Sequence, residues 1–137
     1  MKVIVTSHGD FCHGILKSYQ MIAGESENFY AVSLTEEGVK DYSDRLNKVL
    51  TELESEEILI LTDIKGGTPY NESYQYYLTH EERVRVVAGM NLPMIIEVGI
   101  NLFNDNLEIL YNKALQAGLL GIEGADNGSM IENDLEF

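Results

Sequence analysis

Thiol chemistry is nearly absent from this sequence. Cys12 is the single cysteine among 137 residues, which excludes an intrachain disulfide and a thiolate-built metal site within one chain. Such usage points to a reducing compartment. Basic residues are scarce as well. Nine Lys and Arg stand against 23 Asp and Glu, a formal net charge of −14. With no basic cluster, a nucleic-acid backbone and an anionic membrane are poor partners. The acidic field suits a cationic protein partner, and it serves solubility equally. No apolar run approaches the roughly 18 residues of a membrane-spanning helix. Residues 1–6 (MKVIVT) are apolar but too short for a signal peptide, and polar SHGD follows at once, so they read as a strand and the expected address is cytoplasmic. Nucleotide fingerprints are missing: no GxGxxG follows the first strand, and no GxxxxGK[ST] occurs. Internal repeats and low-complexity linkers are absent too.

What remains is ordinary globular material, 45% hydrophobic, enough for one core. Residues 3–6 (VIVT), 29–34 (FYAVSL), 58–62 (ILILT) and 84–88 (VRVVA) are short, mostly apolar runs that read as strands. Helical spacing fills the gaps. Phe11, Ile15, Tyr19 and Ile22 form one stripe, stopped by Gly24, with Asp10 as its candidate cap. Val39, Tyr42, Leu46, Val49 and Leu53 form another, behind a candidate cap at Thr35 with Glu36 and Glu37 in the first turn. Thr68-Pro69 suits the start of a third helix and Asn91 that of a fourth. Asp105 and Glu108 have capping-box spacing before a fifth, which Gly118 closes.

Strand–helix alternation predicts an α/β fold: an open, mostly parallel twisted sheet with helices on both faces. Residues 119–123 are the candidate for an additional C-terminal antiparallel strand. Residues 123–137 hold five acids and no Lys or Arg. The expected organisation is one domain over 1–123 and an acidic tail over 124–137.

Sites in open parallel sheets lie beyond the carboxyl ends of the strands. His8 and Asp63 each follow an apolar strand there. Imidazole is a good nucleophile near neutral pH. The helix starting just after His8 turns free amides toward anything bonded to the ring. A carboxylate on one ring nitrogen fixes the tautomer and steadies a cationic imidazole. Together, His8 and Asp63 describe a place to put a phosphoryl group on histidine; a strand-end histidine that serves only the helix start is the alternative. Gly66-Gly67-Thr68 would let backbone amides approach an anion, with the Thr68 hydroxyl as a further donor. The same residues serve equally as a plain Gly-rich turn before a Pro-led helix. His8, Asp10, His13 and Asp63 match no strong zinc spacing, and no metal or cofactor is expected.

Three segments carrying these residues are familiar. VTSHGDFCHGILKSYQMIAG, ILILTDIKGGTPYNES and VRVVAGMNLPMIIE resemble, in register, the IIA component of the mannose-family sugar phosphotransferase system, over about residues 1–120. The resemblance implies that His8 is phosphorylated on Nε2, that Asp63 bonds its Nδ1, and that Thr68 helps hold the phosphoryl group. It implies that Asn71 and Asn91 lie around the same site, and Gly9, Gly66 and Gly67 are expected beside them as phosphate or partner contacts. The implied donor is the phosphocarrier HPr and the acceptor a IIB component, with the membrane IIC and IID proteins served indirectly. A homodimer is implied, with the C-terminal strand added to the partner's sheet. Because a IIA component need never contact the sugar, mannose, fructose, sorbose and others stay open. The alternatives are a phosphotransferase subunit supplying a dihydroxyacetone kinase, a flavodoxin-like module holding an anion or flavin, and a small metal-dependent hydrolase.

Overall fold

A computed structural model of the chain describes residues 1–126. The four apolar runs form strands β1 (Lys2–His8), β2 (Phe29–Leu34), β3 (Ile58–Thr62) and β4 (Val84–Val87). They pair, all parallel, in the order β2-β1-β3-β4. Five helices accompany them: α1 (Phe11–Ala23), α2 (Val39–Glu52), α3 (Thr68–Leu78), α4 (Leu92–Asn101) and α5 (Leu107–Leu120).

Alternation along the central strands sorts the core into two layers. Val3 and Val5 of β1, with Leu59 and Leu61 of β3, face α1, α4 and α5, where Ile15, Ile95, Val98 and Leu110 are buried against them. Ile4, Ile58 and Ile60 face the other way, onto Tyr42, Leu46 and Leu50 of α2. All five residues of β3 are buried, as a strand covered on both faces must be.

Three local expectations are corrected. α2 starts at Val39 and not after Thr35; Gly38 precedes it with φ +98°. The Thr35 hydroxyl instead accepts from the Glu37 amide, closing a turn that leaves Glu36 and Glu37 outside the helix. Val39 is exposed, and Leu50 takes its place in the buried stripe. The α5 cap is Asn106, whose side chain accepts from the Ile109 amide, whereas Asp105 pairs with Lys113 at 2.7 Å.

The third correction concerns the chain's end. Gly118 does not close α5, which runs on to Leu120. A side chain at 118 would meet the Met94 methyl 2.7 Å away, so the glycine marks close helix–helix packing. Residues 119–123 are therefore not an antiparallel strand. They are the last helical turn followed by irregular backbone, and among the described residues no fifth strand joins the sheet. Residues 127–137, most of the acidic tail, lie outside the described residues. Among those described, no helix is long and apolar enough to cross a membrane.

Candidate functional site

The sheet order places the site. From β1 the chain crosses to β2 on one side, and from β3 to β4 on the other, so the carboxyl ends of β1 and β3 form the switch point at which open sheets carry their sites. Thr6 and Thr62 are register partners. His8 thus ends β1 beside Asp63, the first residue past β3.

One carboxylate oxygen dominates the contact. Asp63 Oδ2 accepts from the His8 backbone N–H at 2.8 Å and lies 2.8 Å from His8 Nδ1. Its other oxygen accepts from the Ile64 N–H at 2.9 Å. An ionised carboxylate only accepts, so Nδ1 carries the proton and Nε2 keeps its lone pair. Burial pushes the Asp63 carboxyl up, but the His8 amide, the His8 ring and the Ile64 amide together outweigh it and hold the group below its ordinary value. The Asp63 side chain is 14% exposed and the imidazole 50%. The carboxylate is thus sheltered and the imidazole open.

Gly67 forms the wall behind the imidazole. A Cβ there would lie 2.6 Å from His8 Cε1 and 3.3 Å from Nε2. Gly67 has extended backbone (φ −79°), so it is close approach of the ring that demands glycine. It is also the residue before α3, whose first turn presents unpaired amides. The Nε2 edge of the ring therefore lies against a helix N-terminus. Thr68 is the first helical residue rather than the cap, and Pro69 the second. The Asn71 side chain donates to the Gly66 carbonyl at 3.1 Å, holding the turn in which Gly66 takes φ +86°.

Other residues singled out in the sequence have structural partners of their own. Both ends of the Asn91 amide are engaged: Oδ1 accepts from the Met94 amide and Nδ2 donates to the Gly118 carbonyl at 2.9 Å, so it caps α4 and ties it to α5. Gly9 follows His8 at φ +57°, its amide donating to the Leu34 carbonyl. Asp10 makes no side-chain cap bond to α1. Ser7, which sequence reasoning passed over, accepts from the Cys12 amide in its place. The only sequence signal was a hydroxyl residue at the end of a strand just before a helix. Beneath the site, Tyr42 of α2 is fully buried with its hydroxyl 2.6 Å from Thr6 Oγ1. Since Thr6 donates its one proton to the Val32 carbonyl, Tyr42 is the donor in that pair.

The arrangement offers an exposed imidazole with a fixed tautomer and a helix N-terminus beside its free nitrogen. Comparison with known proteins agrees with it. The family model described as "PTS system fructose IIA component" matches residues 2–115. The fructose-specific EIIA component of the phosphotransferase system of Bacillus subtilis (strain 168) is 37% identical over 100 residues, 72% of this chain and 68% of that protein. The sorbose-specific EIIA component of Lacticaseibacillus casei is 32% identical over 117 residues, covering 85% and 84%. Among solved structures, a mannose/sorbose-specific IIA subunit from Enterococcus faecalis superposes with a TM-score of 0.84 at 36% identity, over 91% of this chain and 94% of that one. A phosphotransferase system EIIA component from Streptococcus agalactiae gives 0.82 at 29% identity, over 90% and 95%. The chain accordingly belongs to the mannose-type EIIA family of the sugar phosphotransferase system, and it is a phosphocarrier that relays a phosphoryl group from HPr to a IIB component by way of a phosphohistidine.

Proposed function

We propose that His8 is the phosphorylated residue, with Asp63 bracing it and Thr68 and the Gly66-Gly67 turn receiving the phosphoryl group. The observation that carries this reading is the shared Asp63 oxygen, which bonds both the His8 backbone amide and its Nδ1 at 2.8 Å. It holds the ring so that the lone pair of Nε2 faces outward along Gly67. In the forward step Nε2 attacks phosphorus in line while the P–N bond to the donor histidine breaks. His8 then carries the phosphoryl group on Nε2 and the proton on Nδ1, a cationic ring that the Asp63 carboxylate offsets. The amides at the start of α3 and the Thr68 hydroxyl meet charge on the phosphoryl oxygens. Release to the IIB component reverses these movements. The chain moves no proton in either step, so its contribution is positioning and electrostatics.

The acidic charge of the chain supports a cationic face on the phosphoryl donor. The relatives are named for fructose, sorbose and mannose systems, which favours delivery to a IIB component and its IIC and IID membrane partners over supply of a dihydroxyacetone kinase. Self-association is supported by exposed Leu119, Leu120 and Ile122 and by a largely apolar groove between α1, α4 and α5 that Leu120 lines with Ile22, Pro93 and Ile96. We read residues 1–123 as the phosphocarrier unit and 124–137 as an appendage to it.

The test is incubation with phosphorylated HPr. Acid-labile phosphate is expected on the wild-type chain and on none of a folded His8→Ala variant; label retained by that variant would overturn the assignment. Asp63→Ala is expected to slow transfer by about ten- to a hundredfold, the cost of an imidazole free to take the wrong tautomer or orientation.

A further inference from the structure

We infer that Ser7 is a positioning residue for phosphoryl transfer: its hydroxyl staples the turn that sets where His8 Nε2 stands. The inference rests on the assignment of His8 above. Ser7 is fully buried at the end of β1, although it is polar and directly precedes the exposed His8. Its hydroxyl is used in both directions. It accepts from the Cys12 amide at 2.8 Å and donates its one proton to the Gly9 carbonyl at 3.1 Å. One atom thereby joins the strand before His8, the residue after it, and the first turn of α1.

The geometry of the neighbours makes that joint consequential. The imidazole and the backbone amide of His8 both bond the same Asp63 oxygen, so ring and backbone cannot move independently without losing a bond. The ring also rests on Gly67. Gly9 is pinned at its amide by the Leu34 carbonyl, at 2.7 Å, and at its carbonyl by Ser7. It sits at φ +57°, a conformation that glycine enters and leaves freely. Without the Ser7 hydroxyl, the Gly9 carbonyl and the Cys12 amide lose their partner together, and the flexible step after His8 is held from one side only. Asp10 is no substitute, because its side chain makes no cap bond to α1.

The experiment compares Ser7→Ala with the wild-type full chain, using phosphorylated HPr as donor, at temperatures well below both melting transitions. The expected result is a kcat lowered about ten- to a hundredfold with KM for phospho-HPr little changed, since a displacement near 1 Å costs on that order. In parallel, nitrogen-15 NMR of the His8 ring is expected to show a single Nδ1–H tautomer in the wild type and a mixture in Ser7→Ala. A lowered melting temperature with unchanged kcat and an unchanged ring spectrum would make Ser7 a stability residue only and overturn the inference. A second measurement does not depend on the variant folding. The Cys12 amide lies in a helical first turn, where amides ordinarily lack partners, and slow hydrogen exchange is expected in the unmodified chain; exchange at the rate of an unbonded amide would equally overturn it. His8→Ala in the same assay separates the two claims. Label surviving that change defeats the His8 assignment, whereas its loss alongside wild-type behaviour of Ser7→Ala defeats only the role of Ser7.

Discussion

A carboxylate and a glycine set where the His8 ring stands. Asp63 supplies orientation through one oxygen, and its three hydrogen bonds outweigh its burial. The pH consequence has a definite sign. A carboxyl with a lower pKa folded than unfolded adds stability that is complete above its unfolded value, near the ordinary 3.8, and is lost as pH falls through the lower folded value. Acid titration of the melting temperature is expected to show a steeper fall below about pH 4 for wild type than for Asp63→Asn. Parallel curves would show that Asp63 contributes nothing to acid stability. Gly67 makes a separate prediction. A Cβ would collide with His8 Cε1, so Gly67→Ala is expected to slow phosphoryl acceptance about tenfold or more by pushing the ring from its place, at a stability cost of about 1–3 kcal/mol. A Gly67→Ala chain labelled at the wild-type rate would show that the ring can yield without penalty.

The helices begin and end where side chains can reach orphan amides and carbonyls, and those details separate what was legible from what was not. Asn91 was recognisable as a cap because it precedes Leu92-Pro93, a good helix start, and its side chain does accept from the Met94 amide. Its second bond, to Gly118 on α5, joins residues far apart in sequence that no local pattern connects. Asp105 and Glu108 fit a capping box, yet Asn106 does the capping, because Asp105 is drawn to Lys113 one helix face away. Replacing Asn106 by Ala is expected to cost about 1 kcal/mol, read as a lower melting temperature with His8 labelling intact; an unchanged melting temperature would mean the cap is dispensable. Thr35 misled for a related reason. A threonine before two glutamates satisfies the rules for a helix start, but its hydroxyl closes a turn instead, and the chain must pass Gly38 at φ +98° before α2 can form.

At the scale of the molecule, helices on both faces leave the carboxyl edge of the sheet as the place where β1 and β3 present unlike loops side by side. The chemistry proposed for His8 calls on that edge alone. Removing residues 124–137 is therefore expected to leave His8 phosphorylation by phospho-HPr intact, and loss of labelling in a folded truncated chain would give the acidic segment a part in the site. By itself the sequence determined the four strands, through short apolar runs set off by turn residues, the strand–helix alternation that makes them parallel, and the presence of His8 and Asp63 where such sheets carry their sites. Only the tertiary structure decided that one oxygen serves two donors of His8, that Gly67 is a wall rather than a hinge, and that residues 119–120 stay helical because Gly118 lets α5 pack on Met94. Propensity and periodicity report on neighbours along the chain, whereas these three facts depend on atoms that meet only after the strands have aligned.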